Sequence, residues 1–357
     1  MPQTSPGVGP LVRLPEPWKT TYEVTISAGI DSVPLFSLVL SRKQLSGSSL
    51  PPEPLHLESL RFSDLGLEPN VPTPGVGDNS LEARYHRSLI SLVSWNTSIA
   101  PSASQIWNLA YAIVTRHPEV EDFRLELTGP GATGLSDALR ATGLASRLPK
   151  FISTERSAPS TARRSLAWIM RSSFWQGAGS PFGTRPVWVA NPDLFGHLSK
   201  TLTSVPAFPY EHTVTFSLEG RPVHAQHPVR PPKPAHGAVI YSRYIPHLDE
   251  FFSMVHFDWR NKTHLQLFHD WQNDPRVAAG WNETGSLEQH REYLRKIDED
   301  PHQMSILARF NDTYFAYFEV YWAKVRKYIS YIPRSGDLHC LEFLGGPHGR
   351  LFISPSW

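Results

Sequence analysis

The sequence predicts an α+β fold, with a mixed sheet flanked by helices in the C-terminal half and an α/β region before it. In the C-terminal half, segments with the period-two alternation of strands enclose two segments with helical spacing, 262–273 and 286–297. A short Asn311-Asp312 turn joins the strands after the helices, as in a hairpin. Stacked prolines over 227–237 favour an extended spacer between the two halves.

Length and charge restrict the class of protein. A chain of 357 residues is longer than one typical domain, so we expect two domains. The 34 Lys and Arg residues balance 33 Asp and Glu residues, which removes a general electrostatic case for binding nucleic acid or an anionic membrane. The single cysteine, Cys340, excludes an internal disulfide and is typical of a reducing compartment.

Targeting signals are not recognisable in the sequence. No apolar run reaches the roughly 18 residues that a membrane span needs, and the first residues lack the pattern of a signal peptide. We therefore expect a cytoplasmic protein. A peroxisomal location stays open if a C-terminal signal lies beyond Trp357.

The placement of prolines and of periodic segments predicts four parts of the chain. They are a disordered lead at 1–20, an N-terminal α/β domain at 21–226, a proline-rich linker at 227–237 and a C-terminal domain at 238–357.

In the N-terminal domain, strands are predicted at 21–29, 33–40 and 123–129. The segment 102–118 has its apolar residues on one helix face. A second helix is expected to begin near Ser136 and Asp137 and to end near Gly143. The segment 166–175 has a helical appearance as well.

In the C-terminal domain, strands are predicted at 238–245, 251–258, 304–310, 314–323 and 338–344. The helix at 262–273 is expected to stop at Asn273, Asp274 and Pro275. The helix at 286–297 has Ser286 as its N-cap.

The strand "YFAYFEVYWA" carries a carboxylate, Glu319, within an aromatic run. Strand alternation puts Glu319 on one face with Tyr317 and Tyr321, and Phe318 and Val320 on the other. Such a carboxylate either is hydrogen-bonded beside core aromatics or lines a substrate groove. Both interpretations stay open at this point.

Three segments resemble one enzyme family. "HDWQNDPRVAAGW", "EYLRKI" and "FAYFEVYWAK", at their intervals, are similar to the acyltransferases of siderophore biosynthesis, which include the aerobactin-pathway acetylase, the mycobactin lysine acyltransferase and the fungal hydroxyornithine transacylases. The resemblance implies a GNAT fold over about 250–350 and an N-terminal half that is a degenerate copy of it. It also implies acyl transfer from acyl-CoA to a hydroxylamine nitrogen of hydroxyornithine or hydroxylysine, which yields a hydroxamate.

The resemblance also implies site residues. His339, in "SGDLHCLEFL", matches the strand histidine that acts as general base, and an imidazole suits that role near neutral pH. The loop "GGPHGR" matches the pyrophosphate loop, with Gly345, Gly346, His348, Gly349 and Arg350 as cofactor-binding residues. Candidate substrate-binding residues are Glu319, Tyr321, Asn273, Asp274 and Trp281.

The sequence departs from the family pattern near its end. Ser335 stands where the family has an acid, Asp337 stands where it has a glycine, and the chain ends at Trp357, shortly after the phosphate-loop match. We expect a C-terminally shortened transacylase with an incomplete GNAT-like sheet. The alternative is a catalytically dead relic, or a binding partner of a full-length paralogue; homo-oligomers are open too.

Other chemistries are weakly indicated. The sixteen histidines include no HExxH pattern and no Cys/His ligand spacing, so no metal is assigned. The glycine-rich segment 177–183 does not follow a predicted strand and contains Pro181, so we interpret it as an ordinary loop.

Overall fold

The computed structural model describes residues 11–30, 33–68, 77–146, 165–182, 210–216, 222–228, 233–300 and 303–321. The described residues up to 182 belong to one compact unit and those from 210 onwards to a second. Each unit has a sheet and a core of its own.

The first unit is built on an eight-stranded mixed sheet with the order β1-β2-β3-β4-β5-β6-β8-β7. Its strands are β1 (Leu11–Arg13), β2 (Thr21–Ile30), β3 (Val33–Leu40), β4 (Arg61–Ser63), β5 (Leu89–Ser94), β6 (Asp122–Thr128), β7 (Ala145–Ser146) and β8 (Ser165–Met170). Its helices are α1 (Leu81–Arg87), α2 (Ala103–Arg116), α3 (Ala132–Ala141) and α4 (Arg171–Trp175). Only β5 and β6 pair in parallel among the pairs described here, and α2 connects them.

Helix α2 forms the centre of this unit's core. Ser102 and Gln105 close a capping box at its start, and every residue from Ile106 to Val114 is buried. A helix that is buried on all sides must be covered by more than the sheet alone. Buried side chains from β1, β2, β3 and α3 belong to the same cluster.

The second unit contains a two-stranded sheet and a four-stranded antiparallel sheet. The first comprises β9 (Tyr210–Phe216) and β10 (Pro222–Pro228). The second has the order β11-β12-β13-β14, with β11 (Val239–Ile245), β12 (Glu250–His256), β13 (Gln303–Phe310) and β14 (Thr313–Tyr321). Between β12 and β13 lie α5 (Lys262–Asn273), α6 (Pro275–Trp281) and α7 (Leu287–Glu299).

The order strand, helices, hairpin is as predicted, and the α+β class is confirmed. Helix α5 has the predicted bounds, and Ser286 caps α7 in a capping box with Gln289. Helices α5 and α7 pack on each other over the cluster around Phe257, Phe268 and Leu307. None of the described helices has the length and hydropathy that a bilayer span requires.

Three expectations about local structure were wrong, and one helix was not predicted. The predicted disordered lead contains β1, because Val12 and Leu14 are fully buried. Helix α3 begins at Ala132, after a left-handed Gly131 that offers no side-chain cap to recognise.

Only the second half of the segment 166–175 is helical, because the short apolar run 166–170 pairs with β6 before α4 begins at Arg171. Helix α5 ends at Asn273 as predicted, but a further helix that was not predicted follows directly: Asp274 caps α6 and Pro275 takes its first position.

The predicted linker also differs at its start. His227 and Pro228 lie in β10, opposite Glu211 and Tyr210. Pro228 is the last residue of its strand, a position that tolerates a residue without an N–H donor. The other predicted domain limits stay predictions.

Candidate acyl-transfer site

Glu319 of β14 is held by two tyrosines. The hydroxyl of Tyr293, on α7, donates to its Oε1 at 2.7 Å, and the hydroxyl of Tyr317 donates to the same oxygen at 2.9 Å. The other oxygen, Oε2, has no hydrogen-bond partner among the described residues. Within the described part of the chain, the carboxylate is therefore fixed through one oxygen.

The strand geometry that brings these groups together contains a β-bulge. Ala308 faces Ala316 whereas Arg309 faces Tyr314, so Phe315 is the extra residue. The bulge shifts the alternation, and as a result Tyr314 and Tyr317 both pack against the cluster under α5 and α7. Beyond the bulge the predicted alternation holds, since Phe318 and Val320 pack on the opposite cluster with Met304.

Two aromatic rings pack against the Tyr317 ring. The ring of Phe268 meets the Tyr317 ring edge-on at 4.7 Å between centroids, and Phe257 does so at 5.9 Å. Burial, followed by the charge of Glu319, raises the pKa of Tyr317 well above its usual value of 10. Tyr317 therefore stays protonated and remains a donor to the carboxylate.

His264 of α5 supports the same face of the sheet. Its Nδ1 accepts from the backbone N–H of Asp258 at 3.1 Å, so Nε2 carries the proton and donates to the Tyr314 hydroxyl at 3.2 Å. Burial lowers the pKa of His264, which keeps the ring neutral.

Asn273 joins α5 to the loop before α7. Its Nδ2 donates to the carbonyl of Gly285 at 3.0 Å, and its Oδ1 accepts from the N–H of Gly285 at 3.1 Å. The side-chain amide therefore forms hydrogen bonds with both the N–H and the C=O of Gly285. Asn273 thus fixes the position of the loop before α7.

Asp274 is engaged at the start of α6. It accepts from the backbone N–H of Arg276 at 2.8 Å and pairs with the Arg276 guanidinium at 2.8 Å. These bonds lower the pKa of Asp274 to about 2, with the Arg276 side chain as the largest cause. Trp281 ends α6 and is half-buried.

Two histidines beside Asn273 were not predicted as site residues. His290 donates from Nε2 to the carbonyl of Glu283 at 2.9 Å, so its Nδ1 accepts from His269 Nδ1 at 3.0 Å. Burial lowers the pKa of His290 and keeps it neutral. The two histidines lie on different helices, and the sequence carries no spacing that would have paired them.

The remaining predicted site residues cannot be placed. The backbone of Tyr321 pairs with Gln303 at the end of β14, and its side chain is outside the description. His339, Gly345, Gly346, His348, Gly349 and Arg350 lie outside the described residues.

The parallel strands β5 and β6 of the first unit stay paired to their ends, so no cleft opens between them. Pairing continues from Leu89 to Ser94, and the N–H of Trp95 still reaches the carbonyl of Thr128 at 3.2 Å. The Trp95 indole lies against Gly129, where an added Cβ would come within 2.5 Å of the ring. Ligands of open α/β sheets bind beyond the carboxyl ends of parallel strands, and Trp95 occupies that place here.

One group of potential metal ligands exists within the described ranges. It consists of His236, His256 and Asp298, each of which offers a ligand atom within 4.8 Å of the others. No sequence motif announces this group.

Comparison with known families defines the class of the C-terminal unit. The profile of the acetyltransferase (GNAT) domain matches residues 260–348, a range that spans α5 to β14 and includes His339. The order strand, helices, hairpin of the second unit agrees with this match. The class of protein is therefore an acyltransferase of the GNAT type.

Curated relatives cover most of the chain. A hydroxyornithine transacylase of Ajellomyces capsulatus is 52% identical over 91% of this chain and 73% of its own length. An N(5)-hydroxyornithine:cis-anhydromevalonyl coenzyme A-N(5)-transacylase of Beauveria bassiana is 46% identical over 88% and 70%. A putative O-acetyltransferase of Stachybotrys chartarum is 39% identical over 92% and 73%. The chain belongs to the siderophore-biosynthesis acyltransferase family.

Proposed function

We propose that this enzyme transfers an acyl group from acyl-CoA to the hydroxylamine nitrogen of N5-hydroxyornithine and so forms a hydroxamate of siderophore biosynthesis. The observation that carries the proposal is the 52% identity with a hydroxyornithine transacylase over 91% of the chain. Hydroxylysine, whose side chain is one methylene longer, is the alternative acyl acceptor. A cytoplasmic location stays a prediction, with a peroxisomal one as the alternative.

In this reaction the protein chiefly positions the thioester and the hydroxylamine. A hydroxylamine is less basic than an alkyl amine and is largely neutral at pH 7, so its nitrogen can attack the thioester carbon directly. The N–H proton must then leave and the CoA thiolate must depart. Holding the two reactants in attack geometry and accepting that proton supply most of the acceleration. No step of this scheme calls for a metal ion.

We assign His339 as the proton acceptor. The CoA pyrophosphate is assigned to five residues: Gly345, Gly346, His348, Gly349 and Arg350. The family match, which extends through residue 348, supports His339, Gly345, Gly346 and His348. Gly349 and Arg350 follow from the resemblance of the loop "GGPHGR" alone. Backbone N–H groups of a glycine-rich loop at a helix start suit a pyrophosphate.

We assign Glu319 to the amino-acid substrate. Its Oε1 is held by Tyr293 and Tyr317, and Oε2 has no partner among the described residues. A carboxylate fixed in this way suits the α-ammonium group or the N–OH group of hydroxyornithine. Tyr321 follows on the same strand face, and Asn273, Asp274 and Trp281 border the same pocket in this proposal.

The decisive assay measures two products with the full chain. CoA release is followed with a thiol reagent, and the hydroxamate is followed as its coloured ferric complex. Acetyl-CoA and a longer branched acyl-CoA serve as donors; hydroxyornithine, hydroxylysine and ornithine serve as acceptors. We expect CoA release with hydroxyornithine, together with the ferric complex, and little turnover of ornithine.

Variants test the residue assignments. His339→Ala should reduce kcat at least about 100-fold, because general-base catalysis contributes about 10² to 10⁴. Glu319→Gln should raise KM for hydroxyornithine about tenfold or more, since a hydrogen bond to a charged group contributes about 1.5–3 kcal/mol. His247→Ala, in an exposed turn, and Glu288→Gln, on the exposed face of α7, are the matched controls.

Two results would replace the proposal. CoA release without ferric complex, with the acyl group recovered as an ester of the acceptor, would indicate O-acylation, which the name of the Stachybotrys chartarum relative favours as second candidate. Recovery of the acyl group as free acid would indicate thioester hydrolysis instead. A folded chain without CoA release from any donor would support the relic. Undiminished turnover of His339→Ala would refute the assigned base alone.

A further inference from the structure

Three side chains outside the acyl-transfer site converge at one place in the second unit. His236 lies in the segment that leads into β11, His256 is the last residue of β12, and Asp298 lies in the last turn of α7. Each contributes one potential ligand atom, and these atoms all lie within 4.8 Å of one another.

His256 is oriented as a ligand histidine would be. It is 2% exposed, and its Nδ1 lies 3.0 Å from the carbonyl of Pro234 and 3.3 Å from that of Ala235. A carbonyl only accepts, so Nδ1 carries the proton and Nε2 presents a lone pair. No described residue makes a hydrogen bond with that Nε2. Metal-ligating histidines have their second ring nitrogen held by a backbone carbonyl in this manner.

Asp298 is held in place by two neighbours. The indole N–H of Trp259 donates to its Oδ2 at 3.1 Å, which leaves Oδ1 directed at His236. The ammonium of Lys233 donates to the carbonyls of Ile297 at 3.0 Å and of Asp298 at 2.6 Å. The carboxylate therefore offers one oxygen in a defined direction, as a monodentate ligand does.

His236 is the movable member of the group. Its Nε2 donates to Asp298 Oδ1 at 2.8 Å, and its side chain retains 34% of its exposure. Its ring lies nearly parallel to that of His256, with centroids 5.1 Å apart and planes at 13°. Rotation of this exposed side chain can bring its nitrogen to an ion between His256 and Asp298, while the backbone stays bonded to β12 through Gly237 and Ala238.

We propose that His236, His256 and Asp298 bind a divalent transition-metal ion of the Zn²⁺ type. Two imidazoles and one carboxylate match the ligand preferences of Zn²⁺, whereas Ca²⁺ and Mg²⁺ prefer oxygen ligands alone. Tetrahedral zinc–ligand bonds of about 2.0–2.2 Å place ligand atoms about 3.3–3.6 Å apart. The His256 nitrogen, within 4.8 Å of the other two atoms, must therefore approach them, whereas His236 Nε2 and Asp298 Oδ1, now 2.8 Å apart, must separate slightly. The ion replaces the proton now shared by His236 and Asp298. Water fills the fourth position.

The ion adds a link between α7 and the paired ends of β11 and β12, which backbone hydrogen bonds of His256 with Gly237 and Ala238 already join. It ties the segment before β11 to the end of β12 and to the last turn of α7. A ligand that binds the folded state and not the unfolded state raises the Tm as its concentration rises. The site is therefore expected to stabilise the second unit rather than to take part in acyl transfer.

The test uses the full chain after dialysis against a chelator. Zn²⁺ is titrated by calorimetry, and retained zinc is counted by elemental analysis after gel filtration. The wild type should bind about one equivalent and show a Tm that rises with Zn²⁺ and returns with chelator. His236→Ala should weaken binding at least about tenfold, because even residues that only orient a metal ligand contribute about 10- to 100-fold.

Asp298→Asn is the second variant, because an amide oxygen can still accept from Trp259 while the ligand charge is lost. His247→Ala, in an exposed turn, controls for binding by surface histidines. The proposal is overturned if the folded wild type binds no near-stoichiometric Zn²⁺. It is equally overturned if His236→Ala and Asp298→Asn bind Zn²⁺ as well as His247→Ala does.

Discussion

Replacing Tyr317 by phenylalanine removes its hydrogen bond to Glu319, together with the interaction of the same hydroxyl with Ser305. The ring that packs 4.7 Å from Phe268 and 5.9 Å from Phe257 is retained, so the variant loses only the hydroxyl that donates to Oε1 at 2.9 Å. The change therefore tests whether the pair Tyr317–Glu319 stabilises the second unit.

The expected loss follows from the chemistry of the acceptor. A hydrogen bond to a charged group contributes about 1.5–3 kcal/mol, and about 0.5–1.5 kcal/mol when both partners are neutral. Tyr293 still donates to the same oxygen at 2.7 Å in the variant, so we expect the lower limit, about 1.5 kcal/mol. In a Glu319→Gln background the same change should cost about 0.5–1 kcal/mol, a coupling of about 0.5–1 kcal/mol.

Urea unfolding of the full chain measures these differences. Because the chain has two compact units, the transition of the second must first be identified. Phe268→Ala serves as the marker, since Phe268 is 1% exposed and truncation of a buried phenylalanine costs about 3–5 kcal/mol. Tyr317→Phe and Glu319→Gln form the double-mutant cycle. It is evaluated in the unfolding transition that Phe268→Ala shifts most.

Two results would refute this reasoning. If Tyr317→Phe lowers the free energy of unfolding equally in the wild type and in the Glu319→Gln variant, the hydroxyl does not interact energetically with the carboxylate. A cost as large as that of Phe268→Ala would show that the ring itself had moved.

Three further predictions concern pH, a helix cap and a glycine. Above pH 10 the unfolding free energy of the wild type should fall more steeply than that of Tyr317→Phe. The pKa of Tyr317 is raised in the folded chain, so the unfolded chain releases this proton at lower pH and stability is lost as pH rises. Ser286→Ala should cost about 1 kcal/mol in urea, because it removes the capping box that Ser286 forms with Gln289. Gly129→Ala should destabilise the first unit by about 1–3 kcal/mol, since the new Cβ would lie 2.5 Å from the Trp95 ring.

Each of the three has a control in the same chain. Parallel pH profiles of wild type and Tyr317→Phe above pH 10 would contradict the first. Ser102→Ala removes the equivalent cap of α2 and should move the transition of the first unit instead. Gly134→Ala, in α3 with open space around it, should stabilise by about 0.5–1 kcal/mol, and the same gain at Gly129 would contradict the clash.

The reliability of the sequence-based predictions depended on how local each signal is. The helix at 262–273 and the cap at Ser286 were predicted because periodicity and capping are written into neighbouring residues. Pro275 correctly marked the end of α5, but helix α6 was missed, because a proline suits both the end of one helix and the first position of the next. The short apolar run at 165–170 became a strand because β6 lies beside it.

For the site, the sequence alone determined the family, the acyl-transfer chemistry and the face of β14 that carries Glu319. Motifs and alternation suffice for these because they depend on residues that are close together in the chain. Only the tertiary structure decided that Tyr293 meets Glu319, that His269 meets His290, and that His236, His256 and Asp298 converge. Such contacts join residues far apart in sequence, and their geometry depends on helix packing, strand register and a bulge at Phe315, which no local pattern specifies.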